Sequence, residues 1–139
     1  MVFGNRWAAG KWQWEERAQA AKNIATLELI PIVLSAKLWG GDWQRLRIEV
    51  ETDNMAVARA GQNWAPKDKH LARLMRILAG EAIKNNFEIR FTHRPGHLMV
   101  DADALSRGKT SLFLARNPRA NRNPDPVPRA WIDDLLLKE

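Results

Sequence analysis

Four side chains of chemically capable types stand at informative points in this sequence: Glu28, Asp53, His93 and Asp103. Asp53 follows RIEVET, where Ile48, Val50 and Thr52 alternate with Arg47, Glu49 and Glu51. That is the period of a strand with one face on a core, so Asp53 sits where the strand stops. Strand ends are where α/β folds build sites, because the backbone is rigid and side chains reach a ligand. Asp53-Asn54 equally suits a turn or a helix cap. Glu28 lies in LELIPIVLSAKLW, where a carboxylate is desolvated unless a charge or donor meets it; near a helix start it also complements the helix dipole. His93 opens a Pro-Gly turn after a strand, ten residues before Asp103 at the start of a short helix. A histidine on a turn and a carboxylate at a helix start can face one site. His93 also reads as a surface loop residue, and Asp101 or Asp103 as a helix-start charge.

The elements that must position these groups follow from periodicity. Residues 2–14 are rich in Trp and broken by Gly4 and Gly10, which predicts short strands with Trp7, Trp12 and Trp14 packed on a sheet. Glu15 to Lys22 reads as a polar connection. A buried helix is expected over Thr26–Trp39, with Leu27, Ile30, Leu34 and Leu38 on one face, Pro31 in or just past its first turn and Gly40-Gly41 ending it. After the strand at 47–53 comes a short helix over 54–60, capped by Asn54 and closed by Gly61. A longer helix over 67–85 carries the stripe Leu71, Leu74, Met75, Leu78 and Ala82. Opposite it stand Lys69, Arg73, Arg76 and Lys84, a row that suits either a phosphate backbone or plain solvent. Phe87 to Thr92 alternates again as a strand, and Val100 to Arg107 reads as a short helix. The order of strands and helices is an α/β pattern.

Composition bounds the partners. Lys and Arg outnumber Asp and Glu by 22 to 16, a net charge of +6 with a calculated pI near 10.2, which favours a polyanion such as nucleic acid. There is no cysteine, so disulfide scaffolds and thiolate zinc sites are excluded. One domain with one core is expected from the length. No apolar run is expected to reach the roughly 20 residues of a membrane span, and the opening MVFGNRWAAG resembles neither a secretory nor a transit signal. An intracellular address, cytoplasmic or nuclear, is the expectation. Residues 109–128 hold four prolines and read as a basic, extended or disordered linker, and 129–139 as a short terminal helix.

Glu28 in LELIPIVLSAKLWG, Asp53 in TDN and Asp103 in HRPGHLMVDADALSR together resemble the ribonuclease H domain of retroelement polyproteins. The likeness is to the reverse-transcriptase-linked domains of DIRS and Ngaro type retrotransposons. It covers about Val2 to Gly108, and its most specific part is His-x-Pro-Gly followed by Ala-Asp-x-Leu-Ser-Arg. The resemblance implies an RNase H-like α/β fold, a mixed sheet with helices on both faces. It implies Glu28, Asp53 and Asp103 as ligands of Mg2+ or Mn2+, and His93 as an aid to proton transfer or product release. Two hard cations on carboxylate oxygens would hydrolyse the RNA strand of an RNA–DNA hybrid. Lys69, Arg73, Arg76 and Arg94 would hold that nucleic acid, and the rest of a reverse transcriptase polyprotein would be a partner.

Two departures temper this. The family carries its first carboxylate in an opening strand, within an Asp-Ala-Ser stretch, whereas no Asp or Glu precedes Glu15 here. The resemblance therefore implies a domain lacking its first strand, with weakened metal binding and little or no cleavage by this chain. Met99 also stands where the family has Asn, which removes a polar anchor of the loop. The alternative function is a non-catalytic nucleic-acid-binding or interaction module.

Overall fold

The computed structural model describes residues 1–9, 24–64 and 66–136. Trp12, Trp14 and the connection Glu15 to Lys22 lie outside the described residues, as do 137–139. The chain is mixed α and β. Strands β1 (Val2–Phe3) and β2 (Arg6–Trp7) form an antiparallel hairpin. Its connection is Gly4-Asn5, with Gly4 at φ 58° in the left-handed region that glycine adopts without strain. Helix α1 (Ile24–Trp39) runs into a 3-10 turn, Gly40–Asp42. Strand β3 (Arg47–Thr52) leads through α2 (Met55–Asn63) and α3 (Lys69–Asn85) to β4 (Glu88–His93). A 3-10 turn at Gly96–Leu98 precedes α4 (Val100–Ser106), α5 (Thr110–Arg116) and α6 (Arg129–Leu136).

The expected strands at 47–53 and 87–92 pair in parallel, with Ile48 beside Ile89, Val50 beside Phe91 and Thr52 beside His93. A parallel pair needs a long crossover, here α2 and α3. Instead of one mixed sheet, the described residues form two separate ladders, β1–β2 and β3–β4. Aromatic side chains bridge them. The Phe3 ring lies 6.0 Å from Trp39 and 5.5 Å from Trp43, and Trp43 lies 5.1 Å edge-on from Phe87.

The core joins α1 and α3 to the β3–β4 ladder. Leu29, Ile30, Val33 and Leu34 are buried with Leu71, Leu74, Met75, Leu78 and Phe91. The stripe on α3 is the one its spacing predicts, whereas on α1 the expected Leu27 and Leu38 are only half-buried. That helix is apolar nearly all round, so its periodicity did not choose a face. Caps fix the other helices: Asn54 Oδ1 accepts from Val57 N at 3.1 Å, and Asp68 Oδ1 from Leu71 N at 2.9 Å.

Four expectations change. The described helix α1 runs from Ile24, so Pro31 lies in its interior and leaves the Leu27 carbonyl without its usual donor. Gly61 does not close α2; the helix runs past it, and Trp64 at φ 59° is the C-cap. The 19-residue stretch Ile24–Asp42 does have the length and apolar composition of a membrane span, but half of it is buried among the other elements, as in a core helix. The supposed linker contains α5, whose Phe113 is buried against Trp7 at 5.4 Å between ring centroids. Its later residues lie along the hairpin: Asn121 N donates to Asn5 O and Asp125 N to Trp7 O.

Candidate functional site

The sites of Glu28 and Asp53 converge on one cavity of about 940 Å³, whose walls come from β1, α1, β3, the loop after β4, and α4. Glu28 stands on the α1 face that carries Leu27, Pro31 and Ile32 rather than on the core face. Asp53 is the first residue past β3. The carboxyl of Glu28 is pushed above the usual glutamate range, first by desolvation and second by the negative charge of Asp53. Both side chains remain exposed overall, so the pair is open to solvent and to ions.

The loop after β4 comes close to Asp53 at Gly96. A Cβ at that position would stand 2.8 Å from Asp53 Oδ2, so the loop backbone at Gly96 lies against this carboxylate and a larger residue would make the Asp53 side chain turn aside. The register beside it is fixed by the ladder, since Arg94 N donates to Thr52 O at 2.9 Å. His93 is the last residue of β4, paired with Thr52, and exposed. It is therefore in the strand rather than on the turn, next to the strand end that carries Asp53 but outside the cavity wall.

Asp103 and Asp101 line the same cavity, yet each carboxylate has a cation of its own. Arg107 Nε donates to Asp103 Oδ1 at 2.9 Å, and Arg116 Nε to Asp101 Oδ1 at 3.0 Å. Among the described residues no three of His, Asp or Glu gather as a metal-holding cluster. The structure thus brings Glu28 and Asp53 together and leaves Asp103 on the same wall, tied to its own helix. Sequence reasoning missed both arginine pairs. The i, i+4 spacing of Asp103 and Arg107 was a readable signal, whereas the Arg116 pair depends on α5 being folded.

The four cations assigned to nucleic acid divide. Lys69 and Arg76 are exposed on α3. Arg73 donates to the Asp134 and Leu135 carbonyls at 2.7 and 3.1 Å, so it holds the C-terminal turn of α6, where a cation also meets the negative end of the helix dipole. Arg94 pairs with Glu51 at 2.6 Å. Trp43, which sequence reasoning did not single out, lines the cavity, and its buried indole N–H has no acceptor among the described residues. No family model matches the sequence, and no curated protein or solved structure matches it.

Proposed function

We propose that this chain is a ribonuclease H-like domain of a retroelement reverse transcriptase polyprotein, of DIRS or Ngaro type. Its complete form would hydrolyse the RNA strand of RNA–DNA hybrids, and the 139 residues alone would cleave little or not at all. One observation carries the reading: two acids 25 residues apart in sequence, Glu28 on a helix and Asp53 at a strand end, are near enough for one to raise the other's pKa. Such a pair repels itself, and a hard cation on its oxygens relieves the repulsion. The donor set therefore fits Mg2+ or Mn2+, with Glu28 and Asp53 as holders and Asp103 joining only by leaving Arg107. Bound there, such cations would activate a water and stabilise the leaving oxygen of the cut strand.

The remaining roles fall to the chain's own residues. The loop backbone at Gly96 lies close to Asp53, and His93, exposed at the end of β4, would move a proton near the strand ends. Lys69 and Arg76 would hold the phosphates of the hybrid, which is read by shape and 2′-OH groups. An intracellular setting, cytoplasmic or nuclear, and no membrane belong to the same proposal.

A second reading, nucleic-acid binding without catalysis, is favoured by the arginines that occupy Asp101 and Asp103 and by the charge of +6. Cleavage of a labelled hybrid with Mg2+ or Mn2+ separates the two. The chain should be compared with a version carrying an Asp-bearing strand upstream of Met1. Cutting by the extended version alone, lost in Glu28→Gln and Asp53→Asn, is the expected result. Cutting by the 139-residue chain that vanishes in those variants would defeat the inactivity claim. If neither form cuts but both bind with steep salt dependence, the second reading holds.

A further inference from the structure

A second cavity, of about 300 Å³, opens where the β1–β2 hairpin meets the end of α5. Val2, Phe113 and Pro118 give it an apolar side and Asn5, Arg116 and Arg119 a polar one, and among the described residues no acid lines it. Arg116 Nε donates to Asp101 Oδ1 at 3.0 Å, while its two terminal nitrogens have no acceptor among the described residues. Arg119 and Arg122 are exposed, and neither has a carboxylate partner among the described residues. This surface is fixed in place. Asn121 N donates to Asn5 O at 2.7 Å, Ala120 N to Asn117 O at 2.9 Å, and Trp7 Nε1 to Asn121 O at 2.6 Å. Asn117 caps α5 by donating both N and Nδ2 to Phe113 O at 3.0 Å, which covers a carbonyl that would repel an anion.

We propose that this cavity is a phosphate-binding site for a nucleic-acid strand, with the guanidiniums of Arg116 and Arg119 on one phosphate and Arg122 on the strand beside it. Planar guanidinium forks match phosphate oxygens. Residues 104–124 hold five cations, Arg107, Lys109, Arg116, Arg119 and Arg122, and no acid. A single free anion does not answer that much charge, whereas a row of phosphates does. The next acid along the chain, Asp125, accepts from Trp39 Nε1 at 2.8 Å. Residues 10–23, outside the described part, carry Lys11, Arg17 and Lys22 against Glu15 and Glu16, so they bring no net counter-charge. Asp101 is on this account a positioning residue: it holds Arg116 by Nε and leaves the terminal nitrogens for the phosphate. Arg116 and Val2 also line the larger cavity, so a strand on this site passes along its border. The inference rests on the reading of nucleic acid as the partner, and not on the metal chemistry of Glu28 and Asp53.

The test is binding of the full chain to a labelled RNA–DNA hybrid in EDTA, followed by fluorescence anisotropy over a range of salt, so that no metal site is read. Arg119→Gln breaks no ion pair or hydrogen bond among the described residues. It should weaken binding about tenfold and flatten the slope of log K against log salt by about 1. Arg116→Gln should do the same. Asp101→Ala separates orientation from charge: loss of a negative charge alone would tighten binding, whereas loss of the group that holds Arg116 should weaken it, with the melting temperature checking the fold. Tighter binding would overturn the positioning role. Inorganic phosphate and a mononucleotide should compete poorly with the hybrid. If either binds as tightly as the hybrid, the site takes free anions and the strand proposal fails. Equal competition by polyglutamate of matching charge would also overturn it, since the surface would then have no preference for phosphate. If Arg116→Gln and Arg119→Gln bind as the parent does while Lys69→Ala with Arg76→Ala does not, this site is wrong and the nucleic-acid reading stands. If the parent itself does not bind the hybrid at about 50 mM salt, that reading falls and the proposal with it.

Discussion

Glu28 carries the sharpest consequence at the scale of single residues. Its folded-state pKa is raised by desolvation and by Asp53, so the folded chain holds that proton more tightly than the unfolded chain does. The stability this contributes is fully present below the ordinary glutamate pKa and is lost as pH rises through the raised value. Glu28→Gln removes the ionisation and the repulsion together. The variant should therefore be more stable than the parent at pH 7 and indistinguishable from it near pH 4, as read by urea midpoints. Added magnesium should stabilise the parent and leave the variant unmoved. Equal midpoints at pH 7 would mean that the two carboxyls do not repel, and the candidate site would lose its basis. Glu28 was legible in the sequence because an acid in an apolar helix breaks a local rule, whereas Asp53 at a strand end also suited a turn or cap and was singled out by its position. Gly96 was visible only as half of a Pro-Gly turn; its closeness to Asp53 depends on a fold that brings positions 53 and 96 together.

Among the elements, α2 shows where local signals mislead. A glycine after a short helical run reads as a C-cap, yet Gly61 lies inside α2 and its missing side chain is filled by the ring of Phe91. A Cβ at Gly61 would fall 2.0 Å from Phe91 Cγ. The glycine lets α2 lie directly on β4, and β4 in turn fixes the end of β3 that bears Asp53. In an exposed helix Gly→Ala gains about 1 kcal/mol. Here overpacking should outweigh that gain, and Gly61→Ala should destabilise by about 1–3 kcal/mol, measured by chemical denaturation. A stabilised variant would show that α2 does not press on Phe91. The same limit explains Pro31. Proline is readable as a helix-start residue, but among the described residues the helix already runs from Ile24, with Ala25 and Thr26 buried, so Pro31 falls in its interior.

For the whole molecule, the question is where the folded unit ends. Proline-rich and basic composition predicted a linker from residue 109, because such a stretch has few side chains to bury. The exceptions decide the outcome. Phe113 is 1% exposed and closes a small cluster with Trp7, Ala104 and Leu105. The segment beyond it is tied down by polar contacts that composition does not reveal: Trp7 Nε1 donates to Asn121 O at 2.6 Å, and Trp39 Nε1 to Asp125 Oδ2 at 2.8 Å. Leu135 of α6 then joins the main core, while Arg73 holds the carbonyls beside it. The tail thus braces the hairpin whose edge forms one wall of the cavity, and the fold and the candidate site share its stability. Phe113→Ala should accordingly cost about 3–5 kcal/mol, the usual range for removing a buried phenyl ring. It should also lower the midpoint of one cooperative transition followed by tryptophan fluorescence and by far-UV circular dichroism alike. If residues 109–128 were instead a linker, the substitution would fall within about 0.5 kcal/mol, as surface changes do, and the hairpin tryptophan would report no change. A loss confined to fluorescence, with the circular dichroism transition unmoved, would place Phe113 in a satellite cluster that folds apart from the α1–α3 core.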